Sequence, residues 1–138
     1  MTVVEPITVE AIGLSNVRFF RPPSGGREFP WVAFDDITAA MSLPRNLRRT
    51  FKADLRNSKW SKDVATVRTS NGTVEIFPHY QAQGLIDAMT QVGRCPADLY
   101  WAYAQAGAKA LDIITEGCSK DQLLAYLKEA MQAGGGLA

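Results

Sequence analysis

Two runs of β-branched residues around an Asn-Gly pair place the strongest local constraint on the fold. The segment VATVRTSNGTVEIFPHY, residues 64–80, has valine- and threonine-rich runs on both sides of Asn71-Gly72. Asn-Gly is favoured in type I′ turns because both central residues take a positive φ, and such turns join antiparallel strands. The sequence therefore predicts a hairpin here, and Pro78 ends its second strand.

A second strand pair is predicted nearer the amino terminus. AIGLSNVRFF, residues 11–20, reads as one strand, and FPWVAF, residues 29–34, reads as the returning strand with Trp31 in the core. Between them lies RPPSGGRE, whose prolines and glycine pair are typical of a loop. The pattern predicts a hairpin with a long tip.

Two short helices are predicted between the hairpins. Residues 34–43 show helical spacing of apolar side chains, with Asp35 or Asp36 as the expected N-cap. Pro44 ends this helix, since it disfavours the helical conformation for the preceding residue, and it suits the first turn of the next helix. The apolar stripe of that second helix recurs at a spacing of four: Leu47, Phe51 and Leu55.

Three helices are predicted after the second hairpin. They fall in residues 80–93, 95–117 and 119–132, with Gly93 and Gly117 as stop signals and Ser119 and Gln122 as a capping box. Because strands come first and helices follow, the class is α+β. The architecture is two β-hairpins with a short helical pair between them, followed by a C-terminal helical segment.

Positive charge is concentrated in one part of the chain. The formal net charge is only +1, yet residues 45–68 hold eight cations and two carboxylates, so this segment carries +6 and the rest about −5. On a helix these cations recur at spacings of three and four, where like charges repel. A nucleic-acid backbone turns that repulsion into attraction through counterion release. The predicted nucleic-acid-binding residues are Arg45, Asn46, Arg48, Arg49, Lys52, Arg56, Lys59, Lys62 and Arg68.

Two other interpretations of the basic segment stay open. Charged runs often form solvated faces, and an acidic protein partner would suit the same cations. The helix pair also imitates a helix-turn-helix, although its turn, SLP, lacks the usual glycine. Asn46 is suited to an adenine edge in a major groove. Trp60, after the second helix, either stacks on a base or packs beneath that helix.

Residues that would support catalysis, metal binding or a cofactor are sparse. His79 is the single histidine and is expected to be a helix-capping or surface residue. The glycine pairs match no nucleotide-binding motif, and Cys95 and Cys118 are expected to be reduced thiols. We therefore expect no enzyme activity, no metal and no cofactor. Among Tyr100, Trp101 and Tyr103, at most two face the core, and an exposed one is either an interface anchor or an ordinary, partly buried aromatic.

The location of the protein is predicted from its apolar patterning. The start MTVVEPITVEAIGL lacks a basic region and has an early Glu5, so it does not read as a signal peptide. No apolar run approaches the roughly 20 residues that a membrane span needs. We expect a cytoplasmic protein with no membrane partner.

Three segments, in order and spacing, resemble the BRO N-terminal domain of phage antirepressors and viral regulators. PWVAFDDITAAMSL is similar to the family's WFVAkDVaeaLG, VATVRTSNGTVEIFPHYQAQGLIDAM to its hairpin and following helix, and ADLYWAYAQAGAKAL to its closing helix around a tryptophan, here Trp101. The resemblance covers residues 17 to about 110. It implies an α+β domain over residues 1–114 that binds DNA, or that occupies a phage repressor or a host regulatory protein. Residues 115–138 would add a helix, suited to homodimer formation, and a flexible Gly-rich tail.

Overall fold

A five-stranded antiparallel sheet with five helices makes up the described part of the chain. The computed structural model describes residues 2–57 and 63–133. In the sheet the strand order is β1-β2-β3-β5-β4. The strands are β1 Thr8–Ile12, β2 Ser15–Phe20, β3 Trp31–Ala33, β4 Ala65–Thr69 and β5 Gly72–Phe77. The helices are α1 Phe34–Ala40, α2 Arg45–Asn57, α3 His79–Gln91, α4 Leu99–Ile114 and α5 Lys120–Ala133.

The predicted α+β class and both predicted hairpins are confirmed. β2 pairs with β3, with Phe19 opposite Val32, and β4 pairs with β5, with Val67 opposite Val74. The helices α1 and α2 lie between these hairpins in the chain, and α3, α4 and α5 follow them. None of the helices in the described ranges combines the length and the hydropathy needed to cross a bilayer.

The first predicted strand is wrong in one respect, because residues 11–20 do not form a single strand. The chain turns at Gly13 and Leu14, so that Ile12 lies opposite Ser15 and β1 pairs with β2. Gly13 has a φ of 62°, a left-handed conformation that glycine adopts without a steric penalty. A two-residue turn interrupts the apolar pattern too briefly to be seen in the sequence.

The turn of the second hairpin also differs from the prediction. Thr69 lies opposite Gly72, so Ser70 and Asn71 form the loop. Gly72 has a φ of 109°, whereas Asn71 does not have a positive φ, so the turn is not type I′. The Thr69 hydroxyl accepts a hydrogen bond from the Asn71 N–H at 3.1 Å and donates to the Gly72 carbonyl at 2.7 Å. These side-chain bonds stabilise a turn that the Asn-Gly pair alone does not indicate.

Capping was predicted correctly for one helix and wrongly for another. In α5, the Ser119 N–H donates to the Gln122 side chain at 2.8 Å and the Gln122 N–H donates to the Ser119 hydroxyl at 3.2 Å, as a capping box requires. In α1, the N-cap is Ala33 and has no side-chain cap. β3 continues directly into α1, so Asp35 and Asp36 lie inside its first turn and bind other groups.

The core lies on both faces of the sheet. The larger cluster packs α1, α3 and α4 against one face through residues such as Phe19, Ile37 and Tyr103. The smaller cluster covers the other face and contains Phe20, Ile76 and Trp31, which is 8% exposed, so its predicted core position is confirmed. The chain before β1 also joins the sheet: the Val4 N–H donates to the Arg68 carbonyl at 2.7 Å, and Val3 bridges Arg68 in parallel.

The turn between α1 and α2 places a serine in a conformation that favours glycine. Ser42 has a φ of 60° and is the one non-glycine residue with positive φ in the described part of the chain. The Leu43 N–H donates to the Thr38 carbonyl at 3.2 Å and the Ser42 N–H to the Ala39 carbonyl at 2.9 Å. These two bonds make a Schellman motif with Ser42 in its left-handed position.

We expect Ser42→Gly to raise the free energy of unfolding by about 0.5–1 kcal/mol, because a side chain in the left-handed region costs roughly 1–2 kcal/mol and part of that gain is lost to unfolded-state entropy. Urea denaturation measures the change. Ser42→Ala is the control, since it keeps a Cβ at the same φ and should bring no gain. Equal stabilisation by both variants would contradict strain at this residue.

Candidate nucleic-acid interface

All five cations of α2 lie on one side of the helix. A rotation of about 100° per residue places them within an arc of about 100°. These residues are Arg45, Arg48, Arg49, Lys52 and Arg56. The arc lies next to the apolar stripe of Leu47, Phe51 and Leu55, which packs half-buried against the larger core cluster. Asp54 lies beyond that stripe, so the basic side of α2 carries no carboxylate of its own.

The amino-terminal half of this arc lines an open groove beside α1. The groove measures about 440 Å³ and is lined by Arg45, Arg48, Arg49, Lys52 and Asp35. Four cations therefore surround one carboxylate. No acidic residue lies in the first turn of α2, so the positive end of the helix dipole adds to the same field.

Lys52 is bound to the single carboxylate of the groove. Its Nζ lies 3.0 Å from both Oδ1 and Oδ2 of Asp35 and 5.9 Å from the centre of the Phe34 ring. This contact joins α2 to the first turn of α1. Lys52 was predicted to bind a phosphate, but its charge is largely compensated within the fold.

Arg56 is likewise compensated, by a carboxylate whose proximity no pattern in the sequence indicates. Arg56 Nη2 forms an ion pair with Glu75 Oε1, and the two side chains are 61% and 7% exposed. Glu75 lies two residues before Phe77 on β5, on the same face of the sheet, and so points toward the helices, beneath the end of α2. No described group donates a hydrogen bond to Glu75 Oε1, and the Arg56 guanidinium is the ion-pair partner of that oxygen.

Three arginines of the groove remain available. Arg45 and Arg49 are exposed, and neither forms an ion pair with a residue in the described ranges. Arg48 is half-buried, and its Nε has no hydrogen-bond partner within the described part of the chain. The guanidinium groups of these three arginines therefore line the same groove on the solvent-facing side of α2.

Two other predicted binding residues in the described ranges, Asn46 and Arg68, do not line this groove. Asn46 is exposed but lies about 60° around the helix from the nearest cation. Arg68 is exposed on β4, on the sheet face that also carries Glu75, and so lies toward the far end of α2. Lys59, Lys62 and Trp60 are outside the described residues. The described part of the chain therefore brings Arg45, Arg48, Arg49 and Lys52 together in the groove, and a basic surface continuous to Arg68 stays a prediction.

His79 is not the surface or capping residue that the sequence predicts. It begins α3 and is half-buried, and its Nδ1 lies 2.8 Å from the Tyr103 hydroxyl. The imidazole stacks on the Tyr103 ring, with ring centres 5.5 Å apart, and lies 5.1 Å from the Phe29 ring. Burial lowers the pKa of His79, so the ring is neutral at pH 7.

The three neighbouring aromatics of α4 have separate environments. Tyr103 is buried, Tyr100 is half-buried, and Trp101 is 69% exposed with its ring edge-on to Tyr100 at 5.7 Å. One of the three is therefore turned toward solvent, as the helical spacing requires. Among the described residues, no three His, Cys, Asp or Glu side chains come close enough to hold a metal ion.

We expect Arg56→Met to lower the free energy of unfolding by about 1–3 kcal/mol, because it leaves the nearly buried Glu75 carboxylate without its counterion. Arg49→Met, at an exposed and unpaired position, should change the stability by less than about 0.5 kcal/mol. Chemical denaturation at pH 7 compares the two. Adding Glu75→Gln to Arg56→Met should restore most of the loss, and a failure to do so would contradict the compensating role of Arg56.

We expect the wild-type protein to lose stability as the pH falls from about 6.5, the pKa of an unperturbed histidine. Burial depresses the folded-state pKa of His79, so the unfolded state binds the proton more readily, and the loss continues until the pH passes below that folded pKa. Unfolding free energies at pH 7.5 and 5.5 measure the slope. His79→Asn keeps an acceptor for the Tyr103 hydroxyl and should flatten it, and an unchanged slope would contradict the assignment.

Comparison with known proteins identifies no relative of this chain. No protein-family model, no curated protein and no solved structure matches it. The resemblance to the BRO N-terminal domain therefore stays a prediction.

Proposed function

We propose that this chain is a small, non-enzymatic regulatory DNA-binding protein of phage or mobile-element type, which contacts the phosphate backbone through α2. The observation that carries the proposal is the convergence of Arg45, Arg48 and Arg49, none paired with a described carboxylate, in the groove beside α1. One guanidinium group can donate two parallel hydrogen bonds to the oxygens of a phosphate, and it stays charged at any physiological pH.

The environment of these arginines favours a polyanion over a single small anion. Arg45 and Arg49 are one helical turn apart and are both exposed, so each can reach a separate phosphate. Each phosphate that an arginine neutralises releases counterions from the duplex, which supplies most of the affinity of such contacts. Asn46, beside the arc, is placed to approach a base edge when α2 lies in a major groove.

Lys52 and Arg56 have a different role in this proposal. Through Asp35 and Glu75 they hold α2 against α1 and β5, and they thereby fix where the three available arginines lie. Arg68 would add a more distant phosphate contact near the second hairpin. The resemblance to the BRO N-terminal domain implies the same function.

One observation favours an alternative in the same groove. Asp35 already places a carboxylate among these cations, so the groove accommodates acidic side chains as well as phosphates. An antirepressor or inhibitor that binds an acidic surface of a protein partner would use the same three arginines. Competition by poly-glutamate against a DNA duplex separates the two: complete displacement at an equal charge concentration favours the protein partner, and weak displacement favours DNA.

We expect Arg45→Glu with Arg49→Glu to weaken binding to a random DNA duplex at least tenfold. Two lost phosphate contacts should also reduce the magnitude of the slope of log K against log salt by about 2. Fluorescence anisotropy between about 50 and 200 mM salt measures both quantities. Arg48 is left intact because its partly buried guanidinium contributes to packing.

The matched control is Lys120→Glu with Lys128→Glu, which changes the net charge equally at exposed positions of α5. It should retain nearly wild-type affinity, apart from a small non-local effect. Negligible binding by the wild-type protein even at low salt, or an equal loss in the control, would overturn the proposal.

A further inference from the structure

An aromatic cleft lies beside α4, away from the cations of α2. It has a volume of about 250 Å³, and its walls include Phe19, Phe29, Tyr100, Tyr103 and Leu111. None of the described residues that line it is Lys, Arg, Asp or Glu. An apolar cavity of about 150 Å³ already holds benzene, so this cleft has room for one or two fused rings.

The space exists because α4 presents small side chains there. Ala104, Gly107 and Ala108 line the cleft from the helix side, opposite Phe29 and Pro30. Gly107 lies inside the helix with an ordinary φ, and a Cβ built on it would meet no atom within 4 Å. A glycine in a helix interior is destabilising by roughly 0.5–1 kcal/mol relative to alanine, and here it leaves the cleft open.

Two side-chain hydrogen bonds lie along one wall of the cleft. The Tyr103 hydroxyl lies 2.8 Å from His79 Nδ1, and Gln83 Nε2 donates to the Tyr100 hydroxyl at 3.1 Å. Burial raises the pKa of Tyr103 and lowers that of His79, so both groups are neutral at pH 7.

The Tyr100 hydroxyl is an unused donor at the cleft. Tyr100 is half-buried at the cleft, and no described group accepts the proton of its hydroxyl. Because the Tyr100 oxygen accepts from Gln83 Nε2, its own proton is left to donate to a ligand in the cleft. A donor of this kind, in a site with aromatic walls and no charge, selects a neutral ring with an acceptor atom.

We propose that the aromatic cleft binds a small, uncharged, planar aromatic molecule whose acceptor atom takes a hydrogen bond from the Tyr100 hydroxyl. Binding at this site is independent of the proposed contact with DNA. Aromatic rings of the ligand pack against Phe29 and Tyr103, and the acceptor atom fixes its orientation.

The test uses two probes of the same shape, 7-azaindole and indole, of which only the first carries an acceptor ring nitrogen. Titration of isotope-labelled protein by NMR should show saturable shifts at the backbone amide of Gly107 and the side-chain amide of Gln83. We expect 7-azaindole to bind about fivefold more tightly than indole, the effect of one hydrogen bond. Tyr100→Phe should make the two affinities equal.

Gly107→Leu should abolish binding of both probes, because a Cβ at Gly107 meets no atom within 4 Å and the rest of the leucine side chain would occupy the cleft. Gly84→Leu is the matched control: Gly84 also has free space around it, lies in α3 and does not line this cleft. That control should bind as the wild type does. Absence of saturable shifts in the wild type, undiminished binding by Gly107→Leu, or equal affinity of the two probes for the wild type would overturn the proposal.

Discussion

The contact between Arg18 and Asp36 fixes the rest of the site. The Asp36 carboxylate accepts three hydrogen bonds from Arg18: from its backbone N–H at 3.0 Å, from Nε at 2.7 Å and from Nη2 at 3.0 Å. The hydrogen bond to Asp36 raises the pKa of Arg18. Because β3 runs directly into α1, this contact sets the direction in which α1 leaves the sheet. The Schellman turn at Ser42 then sets the direction of α2, and so the position of its arginines.

The cations of α2 divide into two groups with different physical roles. Lys52 and Arg56 are bound to carboxylates of the fold, whereas Arg45, Arg48 and Arg49 leave their charge unbalanced within the described structure. Exposed ion pairs such as that of Lys52 contribute little to stability. The pair with Glu75 contributes more because that carboxylate is almost excluded from water. A basic run in a sequence does not distinguish these two groups.

The elements that could be predicted are those whose signals are local. Alternating β-branched residues, Pro44 and Pro78 as breakers, and the capping box at Ser119 each act within a few positions, so the helices and the pairs β2–β3 and β4–β5 follow from the sequence, whereas the turn between β1 and β2 does not. Ion pairs depend instead on which side chains the fold brings close together in space. Glu75 compensates Arg56 only because β5 passes beneath α2, and no spacing in the sequence records that. The environment of His79 was missed for the same reason, since Tyr103 belongs to another helix.

The amino-terminal segment pairs with the edge strand β4. Residues 3 and 4 cover part of the outer edge of β4, and the Glu5 carboxylate accepts from the Ser70 N–H across a separation of 65 positions. Because these contacts join segments 65 positions apart, we expect this edge to be covered late in folding, after the more local hairpins have formed. Until then, β4 exposes unpaired backbone groups, and a nascent or partly folded chain is most susceptible to intermolecular strand pairing at that edge.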